Sequence, residues 1–206
     1  MKKLLAILLI FLMIFTLVSC SNGENKKDDE ETEIIVSVSE NGDSYTVCIS
    51  SMPKNEDELK YFDLTNEYEA ATAVMCTLIN FENNFDNALD MLDYIMGPEE
   101  PSEYDESFLK NQFEQYPYVV RSYFDGATPE NDYEISDEIK ITVSENPYSR
   151  DEDGYVKLWF KSSGADSERS ITLRKKESTG EWFLYSDTYK GITAGIREPK
   201  SQDKWA

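Results

Sequence analysis

Tyr155-Val156-Lys157-Leu158-Trp159-Phe160 and Ile171-Thr172-Leu173-Arg174 are the stretches that decide the fold. In each, apolar residues return at every second position, the period at which successive side chains of a β-strand point to opposite faces. Upstream, Ile139, Ile141 and Val143 alternate with Lys140, Thr142 and Ser144 in the same way. Downstream, Ser178-Thr179-Gly180 reads as a turn into a further strand from Trp182 to Tyr185. Strands joined by such short connections form an antiparallel meander.

Before Gly126 the period is helical. Asn66 with Glu69 resembles a capping box, and Tyr68, Ala71, Met75, Leu78 and Ile79 line one face of the helix that follows. From Asn84, the residues Phe85, Ala88, Leu89, Leu92, Ile95 and Met96 recur at helical spacing, and Gly97-Pro98 stops them. A third, shorter helix is expected from near Asp105, with Phe108, Leu109, Phe113 and Tyr116 inward and Pro117 as its end. Tyr118 to Phe124 reads as one or two more helical turns. At the start, Ile34, Val36 and Val38 face Tyr45, Val47 and Ile49 across Asn41-Gly42, a hairpin signal. Helices followed by a meander predict an α+β domain: an N-terminal hairpin and about three helices packed on an antiparallel sheet of four or more strands. This element order resembles the cone of nuclear transport factor 2-like domains.

The chain opens with an address. Lys2 and Lys3 precede an apolar run from Leu4 to Val18, the n-region and h-region of a secretory signal. The run is shorter than the roughly 20 residues that span a bilayer. Leu17-Val18-Ser19-Cys20 resembles the lipobox of bacterial lipoproteins. That resemblance implies a signal peptide over 1–19, a diacylglyceryl thioether on Cys20 and a chain anchored on the outer face of the cell membrane. Two acyl chains suffice for stable anchoring. Residues 21–32 contain no apolar residue and read as an acidic tether. Residues 33–206 are expected to form one domain.

Charge and composition exclude several functions. The formal net charge is −21, and loss of Lys2 and Lys3 takes it to −23. Such a chain repels nucleic acid and anionic headgroups and favours cationic partners. It contains no histidine. That removes Ser-His-Asp and Cys-His catalysis, histidine-ligated zinc and the commonest acid–base group near neutral pH. No Walker A or dinucleotide glycine motif is present, and no cofactor or metal is expected. Cys48 and Cys76 are either a disulfide or two thiols; free thiols are favoured, because nothing in the spacing brings them together. Asp151-Glu152-Asp153-Gly154 begins like a calcium loop but lacks the closing glutamate, so it reads as a solvated hairpin turn. No residue is assigned a catalytic role.

Tyr155 and Trp159 are the candidate binding face. They share one side of a strand whose other side is Val156, Leu158 and Phe160. Covered, they are core; open, they offer a platform for a sugar ring or an aliphatic side chain. Arg169 and Arg174, scarce cations of opposite parity, are expected to point to opposite faces as ion-pair partners of carboxylates.

Several blocks carry a family resemblance: Gly126-Ala127-Thr128-Pro129, Asn131-x-Tyr133, Ser163-Gly164-Ala165-Asp166-Ser167, Leu173-Arg174, Ser178-Thr179-Gly180-x-Trp182-Phe183-Leu184 and Asp203-x-Trp205-Ala206. Together they resemble an uncharacterised family of bacterial, largely Firmicutes, surface lipoproteins, domain of unknown function 6935. The resemblance runs from Met52 to the C-terminus, with Lys204 where proline is expected. It implies a surface location and no particular activity. The expected function is a membrane-anchored, non-catalytic binding or scaffolding domain for an envelope protein or glycan. The alternatives are a cell-envelope glycan hydrolase using paired carboxylates and an acidic neutraliser of a cationic toxin or peptide. Cys20→Ala should leave an uncleaved, unlipidated precursor. A variant that ran at mature size and stayed with the membrane on fractionation would refute the anchor.

Overall fold

Every period-two stretch becomes a strand of one sheet. In this computed structural model, which describes residues 33–205, the strands are β1 (Val36–Asn41), β2 (Ser44–Ile49), β3 (Ile139–Ser144), β4 (Tyr155–Phe160), β5 (Arg169–Lys175) and β6 (Trp182–Leu184). They lie in sequence order, each antiparallel to the next. The expected signal peptide over 1–19, Cys20 and the expected tether over 21–32 lie outside the described residues. The register pairs Val36 with Ile49, Val47 with Ile141, Leu158 with Ile171 and Leu173 with Leu184. One face therefore collects the aliphatic residues of every strand. The β1–β2 turn sits one residue later than expected, on Gly42-Asp43, because Asn41 pairs with Ser44. Gly42 at φ +64° takes the first central position, the II′ arrangement.

The sheet is curled, and its weakest seam is between β3 and β4. Only Val143 with Phe160 and Ser144 with Trp159 pair there. The strands then diverge, and residues 122–125 fill the wedge. Asp125 N–H donates to the Lys140 carbonyl and Ser163 N–H to the Ser122 carbonyl, both at 2.9 Å, and Phe124 bridges to Ile141. The preceding residues, Val120–Tyr123, form a 3₁₀ turn, in line with the short helical reading.

Four helices are inserted between β2 and β3: α1 (Glu56–Leu59), α2 (Glu67–Asn80), α3 (Phe85–Met96) and α4 (Glu103–Gln115). Helix α2 lies against the apolar face of the sheet. Helical periodicity predicts one buried face for α2. Instead all eleven residues from Ala70 to Asn80 are buried. No charged residue occurs between Glu69 and Glu82, and a helix without a polar stripe is buried all round. Asn66 caps α2 as expected, accepting from the Tyr68 and Glu69 amides. Glu69 reaches back to the Asp63 amide at 2.9 Å, so the box is not reciprocal.

Helix α3 matches its expected span, from Asn84 as N-cap to Gly97 at φ +62°. Helix α4 is longer than expected, because Ser102 and Asp105 form a true capping box. Tyr116, expected inward, is 41% exposed, since it follows the last helical turn and leaves the inward stripe. Asp105 also accepts from Lys190 at 2.7 Å. Burial works against its charge, but Lys190 and Ser102 hold its carboxyl down at about 2.

A second knot of structure surrounds Tyr133. Asp132 and Tyr133 both adopt left-handed φ, 55° and 58°, and Tyr133 is fully buried. A left-handed residue with a Cβ carries roughly 1–2 kcal/mol of strain, so its surroundings must hold it there. Its amide donates to the Thr128 carbonyl and its hydroxyl to the Arg197 carbonyl, each at 2.8 Å. Its ring stacks on Tyr118 with 5.6 Å between centroids. The hydroxyl end rests on Gly164, where an added methyl would overlap both it and Ile196. Gly164→Ala should therefore lower stability by about 1–3 kcal/mol in urea unfolding. Part of that loss should vanish in a Tyr133→Phe background; strict additivity of the two substitutions would show that the contact is not felt.

Candidate binding face

The parity that buries one side of the sheet fixes what the other side displays. Its outward positions are Lys140, Thr142 and Ser144 on β3, then Tyr155, Lys157 and Trp159 on β4. Ser170, Thr172 and Arg174 follow on β5, and Phe183 on β6. The same face of β1 and β2 carries Ser37, Ser39, Asn41, Ser44, Thr46 and Cys48. None of these residues is a carboxylate, although the chain has 41 Asp and Glu against 20 Lys and Arg. The face is built from hydroxyls, aromatic rings and cations.

Tyr155 and Trp159 both lie on it, half-buried, with the helices on the other side. They belong to separate clusters. Four residues of strand put them about 13 Å apart. Tyr155 meets Tyr185 edge to face at 5.0 Å, and the Arg174 guanidinium lies 5.4 Å from the first ring and 5.9 Å from the second. Trp159 has the Lys157 ammonium over it at 5.3 Å. Arg174 is exposed and only 3.9 Å from Glu99, a contact that contributes little. Arg169 departs from the expectation of a carboxylate partner: it donates to the carbonyl of Ser167, in the turn just before β5, and to that of Ala194, which the chain after β6 brings beside it.

Beside the Tyr155 cluster opens a groove of about 460 Å³ between the end of α3 and the β5–β6 hairpin. Phe183 and Tyr185 form its aromatic wall, Arg174, Lys175 and Lys176 its cationic rim, and Glu99 and Glu177 its carboxylates. Glu99 accepts from the Ser186 amide at 3.1 Å. Phe183 lies flat against Gly97, where a Cβ would overlap the ring. Sequence reasoning found Gly97 as a helix stop but could not see that it also seats Phe183.

The carboxyls that burial pushes up lie elsewhere. Glu69 caps the Asp63 turn, Asp125 sits in the β3 wedge, and Glu82 is gripped by both nitrogens of the Arg121 fork, which works against the upward push. Asp151, Glu152 and Asp153 are exposed in the turn ahead of β4, with Gly154 at φ +79°. Cys48 and Cys76 are separate thiols, the second fully buried and its ionisation disfavoured by that burial. Among the described residues no group of three or more His, Cys, Asp or Glu is placed to hold a metal ion, and no helix is long and apolar enough to cross a membrane.

The profile of a family described as Domain of unknown function (DUF6935) matches residues 51–200. The chain belongs to this family. No curated protein and no solved structure matches it. The DUF6935 match contains α1–α4, β3–β6 and the groove, and leaves the β1–β2 hairpin outside. All but the last of the sequence blocks that pointed to the family gather in two places. Gly126–Pro129, Asn131-x-Tyr133 and Ser163–Ser167 meet around Tyr133. There the Arg197 amide bonds Gly164 at 2.9 Å and the Lys200 amide bonds Pro129 at 2.8 Å. Leu173-Arg174 and Ser178–Leu184 form the hairpin that walls the groove.

Gly97→Ala should cost about 1–3 kcal/mol in urea unfolding, from a left-handed φ and from displacement of Phe183. Gly42→Ala, at φ +64° with no neighbour within 4 Å, should lose only the backbone part, about 1 kcal/mol. Equal losses at the two positions would mean that Phe183 does not depend on Gly97 for its seat.

Proposed function

We propose that this DUF6935 chain is a cell-surface lipoprotein, held on the outer face of the cell membrane by diacylglyceryl Cys20, whose domain binds an envelope protein or glycan without transforming it. The observation that carries this reading is the outward sheet face. A chain with twice as many acids as bases keeps carboxylates off one whole face and sets aromatic rings and cations there. Solubility alone does not require that arrangement, because scattered carboxylates serve it equally well. Tyr155, Trp159 and the groove beside Phe183 form the contact surface.

The curled sheet around α2 supports a cone of the nuclear transport factor 2-like kind, on element order alone. In this groove the hydrolase reading would draw on Glu99 and Glu177, its two carboxylates. Glu99 already accepts from the Ser186 amide, which favours binding over catalysis. The neutraliser reading draws on the net charge of −21 but has no use for a cationic, aromatic face.

The test is retention of the full chain on purified cell wall, alongside crosslinking capture from its own cells. Wild type should be retained on wall or should capture one stoichiometric partner. Tyr155→Ala combined with Arg174→Ala should reduce that retention at least tenfold while leaving the thermal midpoint nearly unchanged. Equal retention of the variant would remove the sheet face from the reading. Release of soluble fragments from the wall would replace binding with hydrolysis.

A further inference from the structure

The outward face specifies its ligand by charge and spacing, and this step rests on the binding reading above. Along β4, Tyr155, Lys157 and Trp159 alternate ring, cation, ring at every second residue. Strand geometry spaces them about 6–7 Å apart. Arg174 stands directly opposite Tyr155 on β5, and Thr172 opposite Lys157. Lys175 and Lys176 continue the cations onto the rim of the groove. Rings stack on the apolar faces of sugars or polyols, hydroxyls bond to their oxygens, and Lys and Arg pair with phosphate or carboxylate.

We propose that the outward face of β4 and β5, with the groove beside Phe183, binds a linear anionic polymer of hydroxylated units, sugars or polyols carrying phosphate or carboxylate. The missing carboxylates are the complement of such a ligand. Its anions would meet no like charge on the strands themselves. The groove contributes two carboxylates, Glu99, which accepts from the Ser186 amide and faces Arg174, and Glu177. Acidic groups farther away are screened beyond about 8 Å at physiological ionic strength. The groove favours a polymer over an anionic bilayer. A cavity of about 460 Å³ walled by Phe183 admits a chain segment, which a flat headgroup layer does not supply.

The experiment measures binding of the full-length chain, in micelles of a neutral detergent, to polyglycerol phosphate, polygalacturonate, neutral dextran and vesicles containing anionic lipid. At least one anionic polymer should bind tenfold or more tightly than dextran. Lys157→Glu and Arg174→Glu should each weaken it at least tenfold, while Lys110→Glu, an exposed reversal on α4, should not. Polyglycerol phosphate alone binding assigns a phosphodiester source, and polygalacturonate alone a uronate; either supports the proposal. Dextran binding as well as the anionic polymers overturns it, as does indifference to both β4–β5 reversals. Tighter binding to the vesicles overturns it in favour of a membrane contact. If no polymer binds while wall retention or partner capture still depends on Tyr155 and Arg174, the ligand class is wrong and the binding reading stands. If that dependence is absent too, both fall.

Discussion

The structure depends on a helix with no solvent side. From Ala70 to Asn80 every residue of α2 is buried, so the rest of the chain must supply neighbours in all directions. The sheet curls to cover one side and α3 packs on another. Near the C-terminal end of α2, Phe81 stacks on Phe113 of α4 with 5.4 Å between centroids. Polar groups inside α2 are mostly satisfied within the helix or by the loop before it. Thr72 returns its hydroxyl to the Tyr68 carbonyl, and Asn80 donates to Cys76 and Pro53. The Thr77 hydroxyl has no partner among the described residues, a defect of about 1–3 kcal/mol that the surrounding apolar burial outweighs.

That constraint reaches the candidate binding face through parity. Because α2 demands an apolar surface, the strands must present their Val, Ile and Leu inward, with Phe160 on β4 and Trp182 on β6, and the alternate residues, Phe183 among them, go outward without further choice. A slip of one residue in β4 would drive Tyr155, Lys157 and Trp159 into the core and expose Val156, Leu158 and Phe160. The display of rings and cations is therefore locked by the core, without help from a loop. Where pairing is thin, between β3 and β4, residues 122–125 act as a wedge and hold both strands at their registers.

Features set by short-range periodicity were legible in the sequence. The six strands, the caps at Asn66 and Asn84, the stop at Gly97 and the faces of Tyr155 and Trp159 all follow from residues within a few positions of one another. What needed distant parts of the chain was hidden. The seat of Phe183 on Gly97 joins the end of α3 to β6, and the Tyr133 corner gathers a loop, the turn after β4 and the C-terminal segment. Burial of α2 on all sides was readable in principle. The charge-free interval from Glu69 to Glu82 announces it, but helical periodicity singles out one stripe and conceals the others. Ser102 with Asp105 was a capping box in plain view, and reading Asp105 as the start of α4 passed over it.

Net charge and local charge act at different ranges, and the difference determines what this surface can select. The excess of acids repels anions at long range, but salt screens that field within about 8 Å. Inside that distance a ligand meets whatever the nearest side chains offer, and over β4 and β5 those are Lys157, Arg174 and aromatic rings. A small, singly charged anion gains one contact there and no more. A chain with many anions gains several contacts at once, each an intramolecular event after the first. Long-range repulsion with short-range attraction thus disfavours weak, monovalent anions and spares a multivalent one. On the proposed binding reading, an acidic domain whose β4–β5 face lacks carboxylates would discriminate by valence as well as by sign.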